Sequence, residues 1–268
     1  MALRDITLGQ YFPGNTVVHR MDPRSKLIFV VLFIIALFLA RFLVTYGIMV
    51  ITLALCILLS RVKLSIILKG MKPVLLIIVI TAILNLFYTP GEPIAQFWIF
   101  RISREGIWSA FFMVLRIIML ITCTFLLTYT TSPILLTDGL EKLMGPLKAV
   151  RVPVHELSMM MSIALRFIPT LIEETDKIMS AQRARGADFD TGNLMQKARA
   201  LVPLLVPLFI SAFRRADELA IAMECRCYHG GEGRTRLRQL RYRRSDISAI
   251  ILSVLLCVLV GVLARFGL

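Results

Sequence analysis

Leu27-Ile28-Phe29-Val30-Val31-Leu32-Phe33-Ile34-Ile35-Ala36-Leu37-Phe38-Leu39-Ala40-Arg41-Phe42-Leu43-Val44 opens an apolar stretch that runs from 27 to 59 with Arg41 as its only charged residue. As one helix it would extend about 50 Å at ~1.5 Å per residue, too long for a hydrocarbon core of ~30 Å. Two short crossings with Arg41 at the turn between them fit that thickness. Further apolar runs follow at 74–88, 107–131 and 247–264. Pro73 reads as the opening of the third run, and Tyr88-Thr89-Pro90-Gly91 as its end. The pattern predicts an all-α, polytopic membrane protein with about five transmembrane helices and a helical cytoplasmic domain.

Composition agrees. Of 268 residues, 57% are hydrophobic and only 18% charged, with a mean hydropathy of +0.78, well above a soluble domain. The formal net charge of +14 is read as the basic bias of cytoplasmic segments, not as a nucleic-acid surface. Cys56, Cys123 and Cys257 lie in apolar runs, and no cysteine spacing suggests a disulfide framework. Residues 1–26 are polar, with turn chemistry at Gly9–Asn15, and do not resemble a cleavable signal. Asp22-Pro23 reads as an N-cap and first-turn pair for the first membrane helix, with Arg20 or Arg24 as partner for the carboxylate.

Residues 132–245 hold 18 of the 31 Lys and Arg residues and 12 of the 17 acids. If this segment is cytoplasmic, an alternating path places the N-terminus and the 60–73 loop inside and the C-terminus outside. The short segments agree: eight basic residues fall inside against four outside. The expected organisation is 1–131 (N-terminal segment and four spans), 132–245 (cytoplasmic domain) and 246–268 (last span).

Within the cytoplasmic segment, Leu157, Met161, Ala164, Ile168, Leu171, Thr175 and Ile178 recur at steps of four and three, the period of one helix face. Pro169 is expected to kink or interrupt that helix. Met159, Met160 and Met161 form an adaptable, polarizable patch. Residues 200–213 are uncharged but short for a crossing, and Pro203 and Pro207 are expected to interrupt them. A second helical sequence follows, from Ala216 to Arg226.

Each helical sequence ends in a similar device, Ala184-Arg185-Gly186 and Cys225-Arg226-Cys227, 41 residues apart. Each arginine stands between small residues, with Ala four positions before it (Ala181, Ala222) and Asp nine before it (Asp176, Asp217). Small neighbours let a helix end lie flush in a groove while a planar, permanently charged fork reaches carboxylates or carbonyls. One such arginine reads as a surface residue complementing the helix dipole; the duplication points instead to two similar docking partners. Cys225, Cys227 and His229 lack a fourth ligand for a structural zinc site, so neither metal nor cofactor is expected.

The sequence resembles the transmembrane T component of energy-coupling factor (ECF) vitamin transporters, related to the membrane subunit of cobalt and nickel uptake systems. The resemblance rests on Tyr11-Phe12-Pro13-Gly14-Asn15, on His19-Arg20-Met21-Asp22-Pro23-Arg24-Ser25-Lys26, on Thr131-Ser132-Pro133 and on Ala184-Arg185-Gly186. The second triplet, Cys225-Arg226-Cys227, keeps the family's arginine and changes its flanks. The resemblance implies a non-catalytic scaffold in a bacterial cell membrane. Its coupling helices dock on two cytoplasmic ATP-binding-cassette ATPases, one arginine into each. A separate S component, here expected to contact Met159, Met160 and Met161, captures the vitamin or micronutrient. The chain has no Gly-rich phosphate loop of its own. A dedicated cobalt or nickel subunit is the alternative within the class. A membrane-embedded enzyme or a proton-coupled carrier would need acids or histidines in the spans, which hold none.

Overall fold

The computed structural model describes residues 11–90, 93–97, 100–189, 193–231 and 239–266. Gly9 and Gln10, at the start of the expected N-terminal turn, lie outside them; Tyr11–Asn15 are irregular, as turn chemistry requires. The described helices are α1 (Val17–Arg20), α2 (Pro23–Leu39), α3 (Leu43–Ser60), α4 (Leu64–Tyr88), α5 (Arg104–Thr130), α6 (Pro133–Leu143), α7 (Val154–Ala184), α8 (Leu194–Glu224) and α9 (Arg244–Phe266). The described exception to helix, apart from a 3-10 turn at Gly145–Val150, is an antiparallel ribbon between α4 and α5. It joins β1 (Pro93–Phe97) to β2 (Phe100–Ser103), with Gln96 opposite Arg101 and Phe97 opposite Phe100. Sequence periodicity did not announce it.

The protein is a polytopic α-helical membrane protein. Helices α3, α4, α5 and α9 are long and apolar enough to cross a bilayer. Helix α2, with 17 residues, reaches ~26 Å at 1.5 Å per residue. The expected break at Arg41 is present: α2 stops at Leu39 and α3 starts at Leu43. Thr45 fixes the new start, its Oγ1 accepting from the Phe42 N–H at 3.2 Å and donating to the Phe42 carbonyl at 2.6 Å.

Pro73, Pro203 and Pro207, expected to open or interrupt a helix, lie inside one, and Pro169, expected to kink or interrupt its helix, does not interrupt it. Helix α4 begins at Leu64 and carries Pro73 inside it; α7 runs through Pro169; α8 runs through both Pro203 and Pro207. Pro73, Pro169 and Pro203 lie on exposed faces. There the ring and the missing N–H disturb the outer side of the helix, not a packed interface.

The chain forms two compact units, one of Leu140–Gln239 and one of Gly9–Gly139 with Leu240–Leu268. In the second unit, Phe33, Ala36, Leu37, Ala40, Tyr46, Met49, Leu53, Met119, Cys123 and Val260 pack α2, α3, α5 and α9 into one core. Ile67, Met71, Ile78 and Tyr129 join α4 to α5. Small residues permit the close approaches that drive helix association in lipid. A Cβ on Gly106 would stand 2.8 Å from the Leu86 carbonyl oxygen, so α4 and α5 meet this closely because the first turn of α5 carries a glycine.

One end of this unit is held by buried charge. Asp22 caps α2, accepting from the Arg24 N–H at 2.9 Å, with Pro23 in the first turn. Its partner is Arg24, bound in a fork (Nε to Oδ1 3.0 Å, Nη2 to Oδ2 2.9 Å) and stacked 3.9 Å over the Tyr242 ring. The Asp22 N–H donates to Asp246 Oδ1 at 2.8 Å, and the Arg243 N–H to Asp246 Oδ2 at 2.7 Å. Lys26 Nζ donates to the Thr130 carbonyl (3.0 Å) and to Thr131 Oγ1 (2.9 Å). Phe12 lies edge-on to Tyr129 and its N–H donates to the Tyr129 carbonyl at 3.0 Å. The starts of α2 and α9 and the end of α5 are thereby tied together.

Asp246 is fully buried. Replacing it by alanine strands the buried Asp22 N–H, at about 1–3 kcal/mol, and takes the acceptor from the more exposed Arg243 N–H. Asp246→Ala should therefore lower the thermal midpoint of the detergent-solubilised protein clearly, and Asp246→Asn, which keeps one acceptor, less so. Burial raises the Asp22 carboxyl, but hydrogen bonds from the Arg24 side chain and backbone, with the Arg24 and Lys26 charges, hold it below its ordinary range. A depressed carboxyl contributes stability above its unfolded pKa and loses it as pH falls through the folded value. In Asp22→Asn the loss of stability between neutral and acid pH should accordingly be shallower. An unchanged midpoint in Asp246→Ala would remove this network from the account.

Candidate functional site

Helices α7 and α8 have 31 residues each. The Asn193 N–H donates to Gln196 Oε1 at 3.0 Å, which starts α8. The start of α7 is held by Glu141, which accepts from Ser158 Oγ at 2.6 Å and meets His155 Nδ1 at 3.2 Å. No sequence signal had singled out Glu141.

The helices touch through a defect that proline creates. Pro207 has no N–H, so the carbonyl of Pro203, four residues earlier, loses its helical donor. Gln182 of the first arginine motif supplies one, its Nε2 donating to that carbonyl at 3.3 Å. Glu174 and Arg215 meet at 3.5 Å, both partly exposed, a pair that adds little stability but fixes direction. Gln182 meets Pro203 and Glu174 meets Arg215, so the helices run in opposite senses. About 35 Å of α8, at 1.5 Å per residue, separates Pro203 from Arg226. The two arginines therefore occupy opposite ends of the helix pair and do not converge on one point.

Their local geometry is the same. At the end of α7 the Ala187 N–H donates to the Gln182 carbonyl (3.0 Å) and the Gly186 N–H to the Arg183 carbonyl (3.0 Å). At the end of α8 the Tyr228 N–H donates to the Met223 carbonyl (3.1 Å) and the Cys227 N–H to the Glu224 carbonyl (2.8 Å). Each is a Schellman turn, closed by one residue in the left-handed region: Gly186 at φ 90° and Cys227 at φ 56°. Arg185 and Arg226 each stand immediately before that residue, in matching register. The duplication read from sequence is thus a duplication of backbone geometry. What sequence reading missed is the terminator of α8: Gly230-Gly231 follows, but Cys227 itself makes the left-handed turn.

Ala184, Arg185, Gly186, Cys225, Arg226 and Cys227 are all exposed. Among the described residues neither Arg185 nor Arg226 makes an ion pair, so both forks are presented outward. Met160 and Met161 are about half exposed, at 54% and 49%, and Met159 is half-buried. Leu157 and Ala164 of the expected α7 seam are exposed as well, whereas Ile168, Leu171, Thr175 and Ile178 are partly covered. The seam is therefore used within this unit only in its later half. Helix α8 also presents Val202, Val206, Phe209, Ile210 and Phe213 outward. Among the described residues no three His, Cys, Asp or Glu side chains converge as a metal site.

A non-glycine residue in the left-handed region costs roughly 1–2 kcal/mol. Cys227→Gly should therefore stabilise the protein by about 1 kcal/mol. Gly186→Ala, where a Cβ meets nothing within 4 Å, should destabilise it by a similar ~1 kcal/mol through φ strain alone. Denaturation of the solubilised protein reads both, and a neutral Cys227→Gly would contradict the shared turn geometry.

The sequence matches known proteins over nearly its whole length. Residues 14–237 match the model of the CbiQ family, described as cobalt transport protein. A protein of Thermosediminibacter oceani, named energy-coupling factor transporter transmembrane protein EcfT, is 54% identical over 264 residues, covering 98% of this chain and 99% of its own. Proteins of the same name from Clostridium kluyveri and Bacillus subtilis are 52% and 49% identical, over 96% and 94% of this chain and 96% of each of their own. With the family model spanning most of the sequence and such relatives aligned end to end, the chain belongs to the CbiQ family and is a transmembrane component of the energy-coupling factor type.

Proposed function

We propose that the protein is the membrane scaffold of an importer driven by two cytoplasmic ATP-binding-cassette ATPases, with Arg185 docking on one and Arg226 on the other. The observation that carries this reading is the repeated Schellman turn with an exposed arginine before its left-handed residue, without an ion pair among the described residues. Two like turns at opposite ends of a helix pair suit two like partners better than one composite site. The scaffold is non-catalytic: hydrolysis belongs to the ATPases, and movement of α7 and α8 passes their work on. A separate S component binds the vitamin or micronutrient, and Met159, Met160 and Met161, adaptable side chains on α7, are its proposed contact. Residues 132–245 and the N-terminus face the cytoplasm of a bacterial cell, and the last span ends outside. The family model's description as cobalt transport protein favours a second reading, a dedicated cobalt or nickel subunit; the identity of the S component that co-purifies separates the two.

Removing either guanidinium deletes a charge-assisted contact of about 1.5–3 kcal/mol. Arg185→Ala or Arg226→Ala should leave partial assembly but impair uptake more than assembly. The double variant should release the ATPases, and lysine should rescue poorly because a point charge cannot reproduce a planar fork. Pull-down of the ATPases and ATP-dependent uptake measure this; normal binding and transport by the double alanine variant would refute the docking role.

Orientation is tested separately. In a chain whose native cysteines have been replaced, Ala95→Cys and Leu240→Cys should react with an impermeant thiol reagent from opposite sides of the membrane. Labelling from one side would overturn the topology.

A further inference from the structure

The membrane unit contains a second group of basic residues that the docking role does not use. Where α2 turns into α3, Arg41 and Tyr46 line a pocket of about 340 Å3 together with Asn85 of α4 and Ser109, Phe112 and Arg116 of α5. Arg116 lies within a helix long and apolar enough to span the bilayer, where a charge is costly unless it is compensated. Its Nη2 donates to Tyr46 Oη at 2.6 Å and to the Ala40 carbonyl at 3.4 Å, and its guanidinium lies 5.6 Å from the Phe38 ring centroid. Its Nε is buried with no hydrogen-bond partner.

Among the described residues no carboxylate pairs with either arginine. From Pro23 to Gly91 the sequence has no Asp or Glu. Glu105, on α5 with Arg116, lies about 16 Å away along the helix at 1.5 Å per residue.

The pocket is also donor-rich. Tyr46, having accepted from Arg116, keeps its own O–H to give. Asn85 uses one amide hydrogen on the Thr81 carbonyl at 2.9 Å and accepts from Ser109 at 3.4 Å, which leaves its second N–H. Two guanidiniums, a phenol and an amide, with little acceptor capacity among them, form the complement of an oxyanion.

We propose that this pocket binds a phosphate-type oxyanion, with Arg116 and Arg41 as its charge partners and Tyr46 and Asn85 as further donors. The source is either the headgroup of an anionic lipid or free phosphate. The site is independent of the arginines on α7 and α8.

The full-length protein is purified with its partner subunits as wild type, Arg41→Gln, Arg116→Gln and Arg116→Lys. One arm reconstitutes each into bilayers of phosphatidylcholine with or without phosphatidylglycerol and counts retained lipid by native mass spectrometry. The other measures the thermal shift produced by inorganic phosphate in detergent. Retention of phosphatidylglycerol over phosphatidylcholine, falling at least about tenfold in both glutamine variants as expected for a lost charge-assisted contact, establishes the site with lipid as its source. A phosphate-induced shift that vanishes in the same variants, without a lipid preference, establishes it with the free anion. Arg116→Lys should retain only part of the effect. Arg41 is exposed in a turn, so Arg41→Gln tests the site even if Arg116→Gln fails to fold. Binding of neither probe, or binding unchanged in Arg41→Gln, overturns the proposal.

Discussion

The membrane unit depends on satisfying buried charge at one end of a helix bundle. Asp22, Lys26 and Asp246 are each almost completely removed from solvent. Each would be destabilising alone, because a buried charge without partners costs several kcal/mol. Together with Arg24, Ser25, Thr130 and Thr131 they form a network in which the carboxylates accept backbone N–H groups and the lysine is held by oxygens. Apolar packing between helices in lipid is weakly specific, since lipid tails are as apolar as leucine. The polar network supplies direction: it determines which helix ends meet and in what register.

The Asp22–Lys26 and Thr131–Pro133 motifs carry the family resemblance for a physical reason. Lys26 reaches across to Thr130 and Thr131, so two motifs separated by more than a hundred residues form one contact. The same segment caps α2. The N-terminal motif is thus helix cap and interhelical tie at once, and neither function needs it to be catalytic.

The helical unit of α7 and α8 follows another logic. Its prolines remain within long helices, and one of the backbone acceptors they strand becomes a contact: the Pro203 carbonyl takes the Gln182 amide. The helices end in matching Schellman turns, which orient Arg185 and Arg226 alike at separated places. The two turns are thus alike in geometry and apart along the helix pair, which is what the proposed docking on two partners requires. Cys227 holds a conformation that glycine would hold with less strain.

Much of this was legible in sequence. The apolar runs gave the membrane class because a 27–59 stretch cannot be one crossing. The break at Arg41, the Asp22-Pro23 cap and the repeated arginine motifs follow from spacing and residue chemistry, which are local. Helix continuity through Pro73, Pro169, Pro203 and Pro207 was not legible, since whether a proline interrupts depends on which face it occupies and on who satisfies the stranded carbonyl. The left-handed Cys227 was hidden behind the more permissive glycines after it. The burial of Asp246, the role of Glu141 and the convergence of Arg41, Tyr46, Asn85 and Arg116 on one pocket join residues from different helices. Sequence alone determined the membrane class, the apolar spans and which side chains could act; only tertiary structure decided which charges are paired inside the molecule and which are left facing outward, because pairing depends on distances that spacing along the chain does not contain.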